Sequence, residues 1–573
     1  MFCFSRRTFL TAVGSLILPA SKAITTSEVA FVDVAQSAGL TATNINGGER
    51  TKQYIIESTG SGIAFFDYNN DGYADIFMVN GSRLEGFPPG DEPTNHLYRN
   101  NGNGTFTDVT QKVGLVHAGW GQGVCVGDYD NDGWLDLFVT YYGKNILYHN
   151  NRGQSFTDVT DYAGITTKDE RNYSTGCAFV DYDRDGWLDL FVSNYADFSI
   201  HDTPPLGSDP NCRWMGIPVF CGPKGLPLSR NRLFHNNRDG TFTDVSDRAG
   251  ITEGNRGYGF SVLTADFRNC GWPDIYVACD STPSLYYRNN KDGTFQEVGL
   301  EAGVAVSNNG FEEAGMGVSA GDFNHDGLLD IFKTNFIDDT SNLYRNNGDG
   351  TFNDVFYQAI GARNRHFMGW GCGFFDYDND TWADIFQTNG HVYPEVESRH
   401  PDEPYRERNI LYYNRGNGTF EDVSLKSGPG ILLKRVGRGV AFADFDNDGD
   451  LDIVINNQND RPTLLRNDGG NRLHWIAIKT IGTKSNRAGI GTRVRVVTGP
   501  FAQIDEVRSG GSYISQNDLR LHFGLGSTTR IDLVELFWPS GNVDRLRGLD
   551  VDQFITVKEG KGVIARRARQ DLA

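Results

Sequence analysis

An acidic nine-residue motif, DYDNDGWLD at 128–136, recurs seven times along this chain of 573 residues. A Gly-rich apolar stretch precedes most copies, and a short β-branched or aromatic run follows each one. Both flanking segments are typical of strands bounded by turns. Such a repeat limits the fold more than composition does, because each unit has to bury its apolar face against its neighbours. The seven copies begin at Asp67, Asp128, Asp181, Asp266, Asp322, Asp376 and Asp444.

A second half-motif follows each of the first six acidic copies, for example LYHNNRGQSFTDV at 147–159. Its Gly-containing turn between two alternating segments indicates a hairpin. Each repeat therefore predicts four antiparallel strands, the pattern of a β-propeller blade. The seventh copy lacks the F-x-D-V strand, and a matching strand, FVDV, occurs near the N-terminus at 31–34. We expect an all-β fold with a seven-bladed β-propeller over 24–469, closed by an N-terminal strand at 29–35.

The spacing of the acidic residues indicates a cation site. Aspartates at positions 1, 3, 5 and 9 repel one another unless a cation is bound, and Gly at position 6 allows a sharp turn. Oxygen ligands in this number suit Ca²⁺. The alternative, an Asx-rich turn without a metal, is disfavoured because seven copies stand in equivalent places.

Six copies retain the ligand pattern, so the sequence predicts about six structural Ca²⁺ ions. The fourth copy has Arg268 and Cys270 at positions 3 and 5, and we expect no metal there. In the sixth copy Thr381 replaces the turn glycine, although all four aspartates remain. The predicted ligands are Asp67, Asn69, Asp71 and Asp75; Asp128, Asp130, Asp132 and Asp136; Asp181, Asp183, Asp185 and Asp189; Asp322, Asn324, Asp326 and Asp330; Asp376, Asp378, Asp380 and Asp384; and Asp444, Asp446, Asp448 and Asp452.

Charge and the N-terminus limit the possible partners and location. The formal net charge of −20 argues against binding to nucleic acid or to an anionic membrane. Paired Arg6 and Arg7, an apolar run and SKA at 21–23 are typical of a twin-arginine export signal over 1–23. No second apolar run is long enough for a membrane span. We expect a periplasmic or secreted protein that ends in a solvated tail at 561–573.

The acidic loops resemble the FG-GAP or VCBS-type repeats of integrin-alpha-like propellers. The segment at 470–560 contains SNRAGIG, SGGSYISQND, HFGLG and WPSG. In combination these motifs resemble the ASPIC/UnbV domain, the C-terminal module of the cartilage acidic protein family. Two propeller segments, CRWMGIPVFCGPKGLP at 212–227 and NGHVYPEVE at 389–397, resemble features of its bacterial branch. The resemblance implies a secreted calcium-binding propeller followed by a small β-domain, and it implies no settled activity. Without the resemblance, 470–560 still reads as a separate all-β unit, in which Ser509 and Ser512 are interpreted as turn residues.

The cysteines predict one disulfide. Cys212 and Cys221 lie close together in an irregular insertion, where a disulfide could hold the loop after export. Cys270 and Cys279 have the same spacing, but a strand between them would hold them too far apart to pair.

Long connections indicate where a ligand would bind. The connections at 79–96, 194–232, 303–314 and 389–409 vary in length, and the strand order places them on the face opposite the acidic loops. Variable loops on a rigid scaffold commonly carry binding sites. The alternative for the aromatic residues is rim packing. The candidate ligand-binding residues are Trp120, Glu312, His366, Trp370, His391, Tyr393 and Glu395.

Two function classes remain open from the sequence. The favoured one is a binding or scaffold protein for a protein or glycan ligand on the face opposite the acidic loops, which we call the long-loop face. The alternative is a carbohydrate-active enzyme, a polysaccharide lyase or glycoside hydrolase, with its site on the same face. Its acid–base groups would come from Glu312, Glu313, His366, His391 and Glu395, two of which would have to converge in one pocket.

Overall fold

The computed structural model describes residues 29–166, 171–252, 256–362 and 364–568, so the predicted export signal at 1–23 lies outside the described residues. The described chain is built mainly from β-strands. Four single-turn α-helices follow the last strands of four repeats, and two 3₁₀ turns cover Ile55–Glu57 and Gly470–Arg472. The helices are α1 (Thr110–Val113), α2 (Thr160–Ala163), α3 (Gly299–Ala302) and α4 (Phe356–Ala359). None of the helices within the described ranges has the length and apolar character needed to span a membrane.

Thirty strands belong to the repeat region. They are β1 (Ala30–Asp33), β2 (Ile63–Phe66), β3 (Asp75–Met78), β4 (His96–Asn100), β5 (Phe106–Asp108), β6 (Trp120–Gly127), β7 (Asp136–Tyr142), β8 (Ile146–Asn150), β9 (Phe156–Asp158), β10 (Ser174–Val180), β11 (Asp189–Asn194), β12 (Arg213–Trp214), β13 (Ile217–Pro218), β14 (Arg232–Asn236), β15 (Phe242–Asp244), β16 (Gly259–Ala265), β17 (Asp274–Cys279), β18 (Leu285–Asn289), β19 (Phe295–Glu297), β20 (Gly315–Gly321), β21 (Asp330–Asn335), β22 (Asn342–Asn346), β23 (Phe352–Asp354), β24 (Gly369–Phe375), β25 (Asp384–Asn389), β26 (Ile410–Asn414), β27 (Phe420–Asp422), β28 (Gly437–Ala443), β29 (Asp452–Asn457) and β30 (Thr463–Asp468).

Within the described residues, these strands form seven antiparallel four-stranded sheets and one two-stranded ribbon, β12–β13. We number the sheets in chain order by their first strands: β2, β6, β10, β16, β20, β24 and β28. The first strands contact one another in that order, and β28 contacts β2 again, so they form a closed ring. The all-β architecture of four-stranded repeats is confirmed.

The two ends of the repeat region meet in sheet 7. Strand β1 pairs antiparallel with β30, and Phe31 lies opposite Asn467. The Phe31 side chain is fully buried among Phe375, Tyr377 and Leu465. Strand β1 therefore covers the edge of sheet 7 that β30 would otherwise expose. It also joins two segments that lie more than 400 residues apart in the sequence into one sheet.

Neighbouring sheets are linked by an asparagine at or next to the end of the third strand of each repeat. In sheet 2, for example, the Asn150 amide donates to the carbonyl of Tyr68 in sheet 1 at 2.9 Å and to that of Leu135 at 2.9 Å. Equivalent pairs of hydrogen bonds recur around the ring. The asparagines are Asn100, Asn150, Asn236, Asn289, Asn346, Asn414 and Asn467.

The C-terminal domain contains two further four-stranded sheets, ordered β34–β31–β37–β38 and β33–β32–β35–β36. Its strands are β31 (His474–Ile481), β32 (Arg493–Thr498), β33 (Phe501–Glu506), β34 (Leu521–Gly526), β35 (Ile531–Phe537), β36 (Val543–Leu549), β37 (Gln553–Lys558) and β38 (Gly562–Ala568). The expected tail at 561–573 is wrong for Gly562–Ala568, because these residues pair with β37 as an edge strand. The basic residues of this strand, Arg566 and Arg567, are consecutive and therefore lie on opposite faces of it, and a short charge run in the sequence does not reveal that the segment pairs as a strand.

The C-terminal domain and the ring share one hydrophobic core. Ile490, Val507 and Phe523 pack in the same buried cluster as Phe138 and Phe179 from sheets 2 and 3. The segment at 508–518, which joins β33 to β34, lies along the centre of the ring. We call this the channel segment.

Candidate functional site

Each acidic motif folds into a compact loop between the first and second strands of its sheet; we call these aspartate loops 1 to 7. In loop 2, the carboxylate of Asp128 accepts backbone N–H bonds from Asp132 at 3.0 Å and from Gly133 at 2.8 Å. Asp136 accepts from Tyr129 at 3.2 Å and from Asn150 at 2.8 Å. The first and last aspartates thus fix the loop to itself and to the third strand.

Residue 4 of most loops links that loop to the next one. Its backbone is left-handed, for example at Asn131 with φ +59° and Asn379 with φ +57°. Such a conformation favours asparagine among residues other than glycine. In six loops the side chain lies 2.8–3.1 Å from a carbonyl oxygen in the following loop, and loop 7 returns to loop 1. In loop 5 this residue is His325, which stacks on Trp382 at 4.0 Å instead of pointing to solvent. The seven loops therefore form one ring on one face.

The electrostatics of the loops fit a bound cation. Three carboxylates of loop 2 and three of loop 3 bring oxygens within 4.8 Å of one another. Burial and the neighbouring carboxylates raise the pKa of Asp128 to about 8 and that of Asp181 to about 8. Asp181 also has a buried carboxylate oxygen without a hydrogen-bond partner, as do Asp378 and Asp446. Orphaned, crowded carboxylate oxygens are what a hard divalent cation would satisfy.

Two histidines lie at the edge of loops 2 and 3. His149 Nδ1 is 3.2 Å from an oxygen of Asp130, and His235 Nδ1 is 3.1 Å from an oxygen of Asp189. Both histidines belong to the L-Y/F-H-N-N half-motif. They add a possible nitrogen ligand to an otherwise oxygen-only set.

Loop 4 differs from the other aspartate loops because it contains a positively charged side chain. The guanidinium of Arg268 donates to both oxygens of Asp274, at 2.9 and 2.8 Å. This bidentate pair neutralises the carboxylate that a metal would otherwise bind. The structure thus supplies a physical reason for the expectation that loop 4 takes no metal.

The C-terminal domain covers the face that carries the aspartate loops. Arg520 donates to Asn447 of loop 7 at 2.6 Å, and His522 lies 2.7 Å from Asn379 of loop 6. The backbone N–H of Arg487 donates to Asn131 of loop 2 at 2.7 Å. The side chains at position 4 that join the loops therefore also hold the domain.

The channel segment hydrogen-bonds to the innermost strand of every sheet. Val124 donates to the carbonyl of Ile514 at 3.1 Å, and Val318 donates to that of Ser512 at 2.8 Å. Ser509 and Ser512 are buried, and their hydroxyls accept from Phe179 and Cys372. The interpretation of these serines as turn residues is incomplete, because their hydroxyls satisfy strand N–H groups that would otherwise be unpaired in the channel. The contacts with the other three sheets are made by Ile63 and Phe65 of sheet 1, Ser261 of sheet 4 and Phe442 of sheet 7.

Glycines make room for this segment. A Cβ added to Gly62 would lie 2.5 Å from the carbonyl oxygen of Ile514, and one on Gly123 would lie 2.9 Å from the Ile514 side chain. The glycine that precedes most acidic motifs therefore allows both close strand packing and insertion of the channel segment.

Tyr513, at the tip of the channel segment, extends to the opposite side of the ring. It is fully buried, and its ring lies 4.7 Å from that of Trp370 and 5.6 Å from that of Phe260. Both of these aromatic residues line a cavity of about 350 Å³ on the long-loop face. The C-terminal domain thus contributes to the packing beneath this cavity.

The cavity includes some of the residues predicted from the sequence. Trp370, Tyr393 and Glu312 line it. Trp120 packs, partly buried, against the adjoining apolar cluster, and His366 is exposed.

His391 and Glu395 are not on the cavity wall. His391 is buried, its Nδ1 accepts the N–H of Tyr393 at 3.0 Å, and burial lowers the pKa of His391 to about 3. Burial raises the pKa of Glu395 to about 7. The expectation that these two side chains face a ligand is wrong for this cavity, because the 389–409 connection folds inward at this point.

Cysteines in the long insertion agree with the sequence pattern. Cys212 and Cys221 form a disulfide with Cα atoms 5.1 Å apart, and Cys270 and Cys279 are free. The disulfide holds the ribbon that carries Trp214, a cavity residue.

Several residues of the cavity were not identified from the sequence. They include Trp214 and Phe220 from the cystine-bridged insertion and Asp280, which follows β17 directly. A lone carboxylate directly after a buried strand, on the long-loop side, is the only sequence signal for Asp280. The linking asparagines were also missed, although every repeat has one at the same place.

Comparisons with known proteins agree with this architecture. The ASPIC and UnbV family model matches residues 482–564, and the FG-GAP-like repeat model matches 67–139, 128–192, 266–332 and 402–455. The chain is a β-propeller of FG-GAP repeats joined to an ASPIC and UnbV domain.

The chain is also homologous to cartilage acidic protein 1. It is 25% identical to the Homo sapiens protein over 64% of this chain and 50% of that protein. It is 24% identical to the Mus musculus protein over 64% of this chain and 51% of that protein. The chain therefore spans about half the length of the curated relatives it matches.

Solved structures overlap with it loosely. An Agrocybe aegerita lectin structure, described as recognising terminal N-acetylglucosamine, overlaps with a TM-score of 0.36 at 18% identity, covering 63% of this chain and 79% of that chain. The BP39L lectin from Burkholderia pseudomallei overlaps with a TM-score of 0.41 at 9% identity, covering 72% and 98%.

Proposed function

We propose that this protein is an exported, calcium-binding β-propeller that acts as a binding or scaffold protein. Its ligand, a protein or a glycan, binds on the long-loop face. The observation that carries the proposal is that the two faces differ: the C-terminal domain covers the aspartate loops, and an aromatic cavity lies on the other face. A concave site lined by aromatic rings and a few polar groups is the usual form of a binding site.

Calcium has a structural role in this proposal. Loops 1, 2, 3, 5, 6 and 7 would each hold one ion through the aspartates and asparagines at positions 1, 3, 5 and 9. The ions would neutralise carboxylates that otherwise repel one another, and would stabilise the loops to which the C-terminal domain is docked. The support is the set of buried, orphaned carboxylate oxygens and the raised pKa values.

Metal analysis and unfolding test the calcium assignment. We expect about six bound Ca²⁺ per chain and a lower melting temperature after chelation. Asp128→Asn in loop 2, at position 1, where every predicted calcium loop has an aspartate, should lower both the calcium count and the stability. Asp266→Asn in loop 4 is the matched control and should leave the count unchanged, since Arg268 already neutralises that loop. An unchanged calcium count and melting temperature after chelation would show the assignment to be wrong.

A glycan array, together with candidate protein ligands, tests the binding face. Trp214→Ala should weaken binding of any ligand so identified, while calcium content and melting temperature stay near those of the parent protein. The matched variant is Arg545→Glu, on the exposed outer strand of the C-terminal domain. If Arg545→Glu abolishes binding and Trp214→Ala does not, the C-terminal domain carries the site and the proposal fails.

The acid–base groups expected for the enzyme alternative do not converge in this cavity. Of the acid–base groups expected for it, only Glu312 lines the cavity. Glu313 is buried and paired with Lys333 at 3.2 Å.

A further inference from the structure

Aromatic residues are the largest group among those that line the cavity on the long-loop face. Seven of its twenty lining residues are aromatic, and they come from the first strands of sheets 4 and 6, from the connections at 194–232 and 389–409, and from the residue that follows β21 in sheet 5. Trp214 makes an edge contact with Phe336 at 5.6 Å and lies 6.2 Å from Tyr393. Tyr195 stacks on Phe260 at 4.5 Å. These contacts fix the rings, so the wall is formed before a ligand arrives.

The charged groups of the cavity are mostly acidic. Its lining contains three carboxylates, from Asp280, Glu312 and Asp339, and a single ammonium, from Lys224. Lys224 lies 3.5 Å from Glu312, so these two charges largely compensate each other. Asp280 and Asp339 leave an excess of negative charge, in a protein whose formal net charge is already −20.

Asp280 lies deepest among these carboxylates. The hydroxyl of Tyr195 donates to one of its oxygens at 2.5 Å, and that of Ser281 donates to the other at 2.8 Å. Both donors are neutral. Burial raises the pKa of Asp280, which means that this site would gain from a bound positive charge.

The hydrogen-bonding groups point to the same kind of ligand. The hydroxyls of Tyr195 and Ser281 already donate to Asp280. The carboxylates retain acceptor capacity, because each carboxylate offers about four lone-pair sites. A ligand in this cavity therefore has to supply donors and positive charge, while the rings supply contact area and cation–π attraction.

We propose that this cavity binds an aliphatic ammonium group, held between the aromatic rings and the carboxylate of Asp280. The inference rests on the proposed function, and it names the chemistry of the ligand's inserted group. The cavity rejects anionic groups such as uronates and sulfates, because they would bury a negative charge beside Asp280. The ammonium group comes either from a free quaternary amine or from a lysine side chain of a protein partner.

Matched small-molecule probes test the proposal on the full, calcium-loaded chain. Choline and its uncharged isostere 3,3-dimethyl-1-butanol have nearly the same shape and differ in charge. Calorimetry or ligand-observed NMR should show that choline binds at least about tenfold more tightly, the factor that cation–π and charge interactions of this size provide. The third probe is Nα-acetyl-lysine methylamide, which keeps the free ε-ammonium of a lysine side chain. Tighter binding of this probe than of choline indicates a lysine of a protein partner, and tighter binding of choline indicates a quaternary amine.

Three variants test whether the preference for choline arises from the carboxylates of the cavity. Asp280→Asn should weaken choline binding at least about tenfold and leave the isostere unaffected. Glu312→Gln lies on the exposed rim, so it should fold normally and reduce choline binding by a smaller factor. Asp91→Asn, an exposed aspartate of the 79–96 connection, is the control and should change nothing.

Equal binding of choline and its isostere would overturn the inference, as would choline binding that Asp280→Asn and Glu312→Gln leave unchanged. A glycan whose binding is lost in Trp214→Ala, with no binding of either cation, would refute the ammonium ligand and leave the proposed function standing. If no ligand is lost in Trp214→Ala, the proposed function itself fails.

Discussion

Tyr513→Ala should destabilise the propeller, although Tyr513 belongs to the C-terminal domain. The ring is fully buried in the centre of the propeller and contacts Trp370 and Phe260. Replacing a buried aromatic side chain with alanine costs about 3–5 kcal/mol through lost transfer free energy and the cavity left behind. The two aromatic contacts place the effect in the upper part of that range, since each such pair adds about 0.5–1.5 kcal/mol.

Denaturant unfolding measures this loss of free energy directly. If the chain unfolds as one unit, a loss of ~4–5 kcal/mol lowers the melting temperature by about 4 °C, at ~2.1 cal/mol/K per residue over roughly 540 residues. Hydrogen exchange should also increase at the N–H groups of Val124 and Val318, which donate to the channel segment. Tyr513→Phe keeps the ring and should stay within about 1 kcal/mol of the parent protein.

Tyr357→Ala is the matched control, because this tyrosine is 57% exposed on α4 and its loss should cost little. A loss below about 1 kcal/mol for Tyr513→Ala, with unchanged exchange at Val124 and Val318, would refute the insertion of this segment into the ring.

Two further predictions concern single loops. Thr381, a β-branched residue, has φ +90° at the turn position of loop 6, which strains its backbone. Thr381→Gly should relieve this strain and raise the free energy of unfolding, measured with denaturant, by about 1 kcal/mol net of the entropy that glycine loses on folding. The reciprocal Gly133→Thr in loop 2, where a Cβ meets open space, should destabilise through backbone strain alone; equal stability of all three proteins would contradict this. Although burial opposes ionisation, hydrogen bonds from Ser540 and from backbone N–H groups lower the pKa of Glu559 to about 2. This depressed pKa stabilises the folded state above about pH 4.5 by ~3 kcal/mol, and the contribution is lost as pH falls through 2. Glu559→Gln should remove that pH dependence from the free energy of unfolding, and an unchanged slope between pH 5 and 2 would show that these hydrogen bonds do not hold the carboxylate.

Much of the fold could be predicted because the repeat is local. Each acidic motif specifies a turn, and the alternating segments beside it specify strands, so four-stranded sheets follow from short-range sequence. The match between FVDV at 31–34 and the last strand of the other repeats predicted that β1 pairs next to β30. Loop 4 was recognisable as different because Arg268 replaces an oxygen ligand, and in the structure its guanidinium lies against Asp274.

The cavity could not be predicted in the same way. Its lining comes from parts of the chain more than 300 residues apart, such as Ile55 and Tyr393, and no periodic pattern relates them. His391 and Glu395 had the right residue types in a long connection, but whether such a connection points outward or folds inward depends on packing against Trp214 and Phe220. Trp214 itself is oriented by a ribbon that the Cys212–Cys221 disulfide closes.

The sequence by itself determined the repeating unit, the acidic loops and the closure of the seventh sheet, because turns and strand alternation are set by neighbouring residues. Only the tertiary structure decided that 508–518 enters the centre of the ring. In sequence, the serines and glycines of this segment look like an ordinary turn. In the structure, the serine hydroxyls accept from strand N–H groups that face the channel and would otherwise have no acceptor. Glycines on the facing strands leave the space that the segment occupies. The same long-range packing decided that one face is covered by the protein's own C-terminal domain and that the other presents a cavity.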